Sequence, residues 1–163
     1  MNPDQYVKLL DDDENPASVA QIKEDIDKNE KRELDIQSRI PESITIGIFK
    51  VNCKDIRTMY SGKHQQIIDK EIKLIAKRVR QINDTISLKF EEMRATIQKP
   101  PKNIEELTDL RNYMNMLPLE VDKYKKEIKE CMEIYDILED FKFEFTATEM
   151  DNKWDMFKAP QET

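Results

Sequence analysis

Residues 104–138 read IEELTDLRNYMNMLPLEVDKYKKEIKECMEIYDIL. Within them Leu107, Leu110, Met114, Leu117, Val121, Tyr124, Ile128, Cys131, Tyr135 and Leu138 recur three and four positions apart without a break. That spacing winds a single apolar stripe along an α-helix, and a stripe kept for so many turns is a heptad seam that needs a partner. The partner lies upstream, where Ile68, Ile72, Ile75, Val79, Ile82, Ile86, Phe90, Met93 and Ile97 follow the same alternation with one stutter at Ile82-Ile86-Phe90. Pro100-Pro101 between the two stripes leaves room only for an immediate reversal. The pattern predicts helices over residues 53–98 and 104–145, each about 65 Å long at 1.5 Å per residue and paired antiparallel. Charge favours the pairing, because residues 41–100 carry a net +5 and residues 101–163 a net −7. Pro118 falls inside the second stripe and predicts a kink there with the register kept.

Working outward, Pro41 ends a preceding helix, and Ser43 to Val51 place Ile44, Ile46 and Ile48 at period two, so residues 43–51 read as a short extended connector. Asn15-Pro16 reads as an N-cap with proline in the first turn, followed by Val19, Ile22 and Ile26, which predicts a first helix over 15–40. Residues 1–14, with Tyr6, Val7, Leu9 and Leu10 ahead of Asp11, Asp12, Asp13 and Glu14, hold no sustained period and are expected to be a poorly ordered lead-in. Three cap-and-acid pairs, Asn52 with Asp55, Asn103 with Glu106 and Thr146 with Glu149, mark later helix starts. The last of them opens a further helix in 146–163. The expected fold is all-α: an elongated helical bundle built on a long antiparallel coiled-coil hairpin, residues 52–145 with the turn at 99–103, plus the extended connector.

Composition agrees. Charged residues are 37% of the chain, apolar residues 38%, and glycine occurs only as Gly47 and Gly62, which suits long charged helices and not a turn-rich β fold. Two glycines so far apart cannot build a phosphate loop or a dinucleotide fingerprint. His64, Cys53 and Cys131 are too few, and wrongly spaced, for a structural zinc site. No apolar run nears the roughly 20 residues that cross a bilayer, and the acidic start is unlike a signal peptide. The expectation is a soluble intracellular chain with both thiols reduced and packed as small hydrophobes.

Features that could carry function each have a structural reading. Lys70, Lys73, Lys77, Arg78 and Arg80, interleaved with Ile72, Ile75 and Val79, have the charge pattern of a calmodulin-target or membrane-surface helix; the same apolar residues are already committed to the seam, which favours a solvated face opposite the acidic helix. His64 beside Lys63 has no nucleophile or carboxylate constellation with it and reads as a surface histidine. Met114, Met116 and Met132 suggest a pliable docking surface, though Met114 sits on the seam and reads as core. Phe141, Phe143 and Phe145 read as wrapping the end of a bundle. No residue takes a catalytic, cofactor-binding or metal-ligating role.

Three blocks carry a family resemblance. Ile46-Gly47-Ile48-Phe49-Lys50-Val51-Asn52-Cys53, then Lys99-Pro100-Pro101-Lys102-Asn103-Ile104-Glu105-Glu106-Leu107 running on to Tyr113-Met114 and Leu117-Pro118, and finally Tyr135 to Phe141 with Asp151-Asn152-Lys153-Trp154 and Pro160, resemble the tail of an axonemal dynein heavy chain just ahead of its linker. The resemblance covers about residues 40–160. The chain departs from it at Lys50, where the family more often has an aromatic, at Tyr113 in place of Trp, and at Lys158-Ala159 in place of Gly-Trp. The resemblance implies a non-enzymatic structural segment joining a cargo-bound tail to the linker and ATPase ring of a ciliary microtubule motor. It implies no cofactor in this segment, with ATP and Mg belonging to the full-length motor. Expected partners are neighbouring helical bundles of the same heavy chain and dynein intermediate or light chains, with no nucleic acid and no membrane, in the cytoplasm and cytoskeleton of the ciliary axoneme. The alternative is an independent helical adaptor whose basic helix binds an acidic calmodulin-like light chain. The two differ in whether that helix is already closed on its own chain.

Overall fold

The computed structural model describes residues 3–12 and 16–162. Its elements, in chain order, are α1 (Pro3–Leu10), α2 (Val19–Arg39), β1 (Ser43–Ile46), β2 (Phe49–Asn52), α3 (Lys54–Gln98), α4 (Ile104–Asp140) and α5 (Ala147–Glu162). The chain is therefore all-α apart from a two-stranded sheet. Among the described residues no helix is long and apolar enough to cross a membrane. Two compact units divide the chain, residues 1–76 and 77–163, and α3 contributes to both.

In the first unit α2 runs antiparallel to the start of α3. Asn29 Oδ1 lies 3.0 Å from His64 Nδ1, and Ser61 donates its hydroxyl to Glu33 at 2.9 Å, so positions rise on one helix as they fall on the other. Ile22, Ile26, Ile68, Leu74 and Ile75 form the buried apolar core. The expected lead-in is instead partly helical: α1 is tied down by the Tyr6 hydroxyl, which donates to Asp25, and by an ion pair between Asp4 and Lys70. An eight-residue helix held by single polar contacts leaves no sequence period to detect. Helix α2 begins at Val19 and not at Pro16, because Ser18 and Gln21 form a reciprocal capping box that satisfies two first-turn amides. The expected cap Asn15 lies outside the described residues.

The extended connector is a hairpin. Ser43 to Ile46 pair antiparallel with Phe49 to Asn52, and Gly47-Ile48 make the reversal. Gly47 takes φ +61° while Ile48 does not turn positive, which is the pattern of a type II′ turn with its glycine at the first central position. Cys53 N–H then donates to Glu42 O at 2.8 Å and closes the hairpin's base.

The second unit is an up-down-up arrangement of helices. The later half of α3 lies antiparallel to α4, with Asn83 donating to the Tyr135 hydroxyl at 3.0 Å and Phe90 meeting Tyr124 edge to face at 5.7 Å. Helix α5 returns along both, joined to α3 by Arg80–Glu149 and Arg94–Glu162 and to α4 by Lys153–Glu139. The expected equal-length pair over 52–145 is thus corrected in its first half, since residues 54–76 pack on α2, whose Ile22 and Ile26 supply the apolar stripe.

Two positions on the seam also differ. Asn83 is buried where Ile82 was expected, and Ile82 is exposed. With Asn83 in place, Val79, Asn83, Ile86, Phe90 and Met93 alternate four and three, and the stutter disappears. In the first turns of α4 the inward positions are Glu106, Leu110 and Tyr113, while Leu107 and Met114 face out. Helix α4 continues through Pro118. It stops at Asp140, short of the expected 145. Lys142 enters the left-handed region at φ 55°, and its N–H and that of Phe143 donate to Glu139 O and Leu138 O, each at 2.9 Å. That pair of bonds is a Schellman cap. Phe143 and Phe145 therefore lie beyond the helix, meeting edge to face at 5.0 Å, with Phe145 5.4 Å from the Tyr135 ring.

Candidate interaction surfaces

The basic stretch of α3 is largely occupied within its own chain. Lys70 pairs with Asp4 and Arg80 with Glu149. Lys77 and Arg78 also have interaction partners, and Lys73 is exposed. The acidic groups that meet Lys70 and Arg80 lie on α1 and α5, where the acidic helix α4 was expected. His64 is half-buried against Asn29 and so helps hold α2 to α3. Among the described residues no group of three or more His, Cys, Asp or Glu is placed to hold a metal ion.

Buried polar groups mark each unit. In the first, Glu71 is fully buried and neither carboxyl oxygen meets a donor. Burial first, and then the neighbouring Asp25 carboxylate, push Glu71 up to about 9, so it carries its own proton at neutral pH. Burial and the hydrogen bond to Asp25 likewise push the Tyr6 phenol above its ordinary value. In the second unit, Lys153 is buried with its ammonium 2.7 Å from Glu139 and over the rings of Tyr135 and Trp154, at 5.0 and 5.6 Å. Carboxylate and ring faces together compensate its lost hydration. Cys131 is buried and its thiol is pushed up to about 11 by burial, which disfavours the thiolate.

Apolar side chains line one cleft and stand exposed in two further places. One is the cleft of about 320 Å³ between α4 and α5, lined by Ile128, Met132, Phe157 and Pro160 with Lys125 and Lys129 at its rim. This is where Met132 sits. A second is the start of α4, where Ile104, Leu107, Met114, Met116 and Leu119 are exposed. The third is the hairpin. Its register sets Ile44 opposite Val51 and Ile46 opposite Phe49, while Ser43, Thr45, Lys50 and Asn52 take the alternate positions. One face of the sheet is thus wholly apolar and the other wholly polar. Sequence reasoning stopped at the first strand's alternation; continuing it past Gly47-Ile48 into Phe49 and Val51 would have exposed the two-strand pattern.

No family model matches the chain. Curated relatives do. Dynein axonemal heavy chain 1 of Mus musculus is 25% identical over 137 residues, covering 84% of this chain and 3% of that protein. Its counterpart in Homo sapiens is 26% identical over 119 residues, covering 73% of this chain and 3% of that protein. The Rattus norvegicus protein is 27% identical over 101 residues, or 62% and 2% respectively. The chain is similar, along most of its length, to a stretch amounting to about 3% of these axonemal dynein heavy chains.

Proposed function

We propose that the chain is a structural segment of an axonemal dynein heavy chain, from the tail ahead of the linker, that connects and braces and does no chemistry of its own. The observation that carries this is the similarity to dynein axonemal heavy chain 1 over 84% of the chain, on a fold of packed helices. On this reading the motor's ATP and Mg bind elsewhere in the polypeptide. The segment's partners are neighbouring helical bundles of the same heavy chain and intermediate or light chains, in the ciliary axoneme. The adaptor reading has less support, because Lys70 and Arg80 are already paired on the chain's own carboxylates.

One set of variants separates the two readings. Lys73→Ala, Lys77→Ala, Leu138→Ala and Ile128→Ala are each scored for stability and for capture of axonemal intermediate and light chains and of calmodulin. A connecting segment loses stability with the seam variants and keeps its partners with the lysine variants. Loss of calmodulin capture by stable lysine variants would establish the adaptor instead.

A further inference from the structure

The hairpin's apolar face is uncovered in the chain as it stands: Ile44, Ile46, Phe49 and Val51 are 42, 64, 70 and 45% exposed, and Ile48 at the turn is 93% exposed. An isolated two-stranded hairpin is marginal in water, and three or more strands or a packed helix are usually needed to hold one. Both strands are nonetheless regular, with four residue pairs in register and a turn glycine suited to the reversal. A hairpin so sharply divided into apolar and polar faces gains its stability when the apolar face is covered.

The size of the face tells what covers it. Its four partly exposed side chains, Ile44, Ile46, Phe49 and Val51, present on the order of 400 Å². A stable interface between separate molecules buries about 800 Å² on each side, because association must offset lost translational and rotational freedom. A second copy of the chain, meeting this face with its own, falls short of that. A segment tethered in the same polypeptide does not carry the full association cost, because its effective concentration is already in the millimolar range or above. Two rungs, Ile44 with Val51 and Ile46 with Phe49, spaced two residues apart along each strand, extend about 7 Å, close to one helical turn of 5.4 Å.

From this we infer that the β1–β2 face seats the apolar stripe of a further helix of the same polypeptide, outside the 163 residues described by this sequence. The inference rests on reading the chain as part of a dynein heavy chain, whose relatives share only 3% of their length with it.

The experiment places the photo-crosslinker benzoylphenylalanine at Phe49 or at Ile46, and as a control at Thr45 on the polar face, in the full polypeptide as assembled in axonemes. A denaturing gel first reports the size of the labelled polypeptide. A chain far shorter than a heavy chain overturns the dynein reading before any crosslink is scored. With a heavy chain in hand, mass spectrometry of the irradiated sample should find positions 49 and 46 joined to one helical stretch of the same polypeptide outside these residues, and position 45 joined to none. Crosslinks to a different protein, to an isotopically distinguished second copy, or to residues within the 163 would overturn the inference while leaving the dynein reading in place. So would the absence of crosslinks from 46 and 49 above the level at 45. A second readout guards against misfolding: Phe49→Asp should leave the melting midpoint of the isolated chain within about 1 °C of the parent and lower protease resistance around the hairpin only in the full polypeptide.

Discussion

Two buried polar side chains, Glu71 and Asn83, do different work at positions where apolar residues would pack more simply. Glu71 is an acid whose proton is held from about pH 4.5, its ordinary value, up to about 9. Across that window the folded chain keeps a proton that the unfolded chain has released, so stability falls as pH rises and levels off above it. The penalty at pH 7 is of order 3 kcal/mol. Glu71→Gln keeps the shape without the ionisation. It should raise stability at pH 8 by about 1–3 kcal/mol and flatten the decline between pH 5 and 9, as read by urea denaturation at several pH values. Asn83 instead donates to Tyr135 and accepts from Ser87 at 3.2 Å. Tyr135→Phe strips the amide of its acceptor inside the core and should cost about 1–2 kcal/mol, read through the single tryptophan, Trp154. Neither position was legible in the sequence as it was read. Apolar residues alone trace the stripe through Ile82 and pass over Asn83, and no spacing signal sets Glu71 apart from the charges around it.

At the scale of elements, the interiors of the long helices were legible because a three-and-four spacing repeated over many turns has one physical meaning. Their ends were legible only where a side chain makes the cap. Asn103 accepts from Glu106 N–H at 2.7 Å, and Thr146 exchanges bonds with Glu149 at 2.7 and 3.3 Å. The end of α4 is made by the backbone. A Schellman cap wants a residue that tolerates positive φ, and the residue there is Lys142, which carries no such signal. The expected helix over 104–145 accordingly takes in the alternating phenylalanines after it. Left-handed backbone costs a lysine about 1 kcal/mol relative to glycine, so Lys142→Gly should stabilise the second unit by roughly that amount, and Lys142→Pro, which cannot take positive φ or donate to Glu139, should destabilise it. Thermal melts of the two variants, compared at one pH, check both signs.

Across the whole molecule, burial follows the helices' company more closely than it follows their sequence pattern. The stripe of α4 is equally apolar in its first and later turns, yet Leu107 and Met114 are exposed while Ile128, Cys131, Tyr135 and Leu138 are buried. The difference is the third helix. Among the described residues α5 pairs with α3 as far as Arg94–Glu162 and lies against the later turns of α4, while the first turns of α4 meet α3 alone. Two helices can close one narrow line of contact, and they select Leu110 and Tyr113 for it; three helices enclose a core. The stripe itself could be read from sequence, but which of its turns α5 covers could not, because that depends on how a helix of different phase and composition packs along it. The energetic consequence is steep. Ile128→Ala and Leu138→Ala should each cost about 2–4 kcal/mol through lost transfer and an incompletely filled cavity, whereas Leu107→Ala and Met114→Ala should cost less than about 0.5 kcal/mol in the isolated chain. Urea denaturation followed by Trp154 fluorescence ranks the four. Equal costs at Leu107 and Ile128 would mean that the first turns of α4 are as well covered as the last, and the ordering argued from α5 would then be wrong. The same four substitutions made in the full polypeptide carry the comparison further. If the early stripe of α4 is covered there, as the proposed place in a heavy chain requires, the cost at Leu107 and Met114 should climb towards that at Ile128, while the cost at Leu138, already enclosed, should stay where it was.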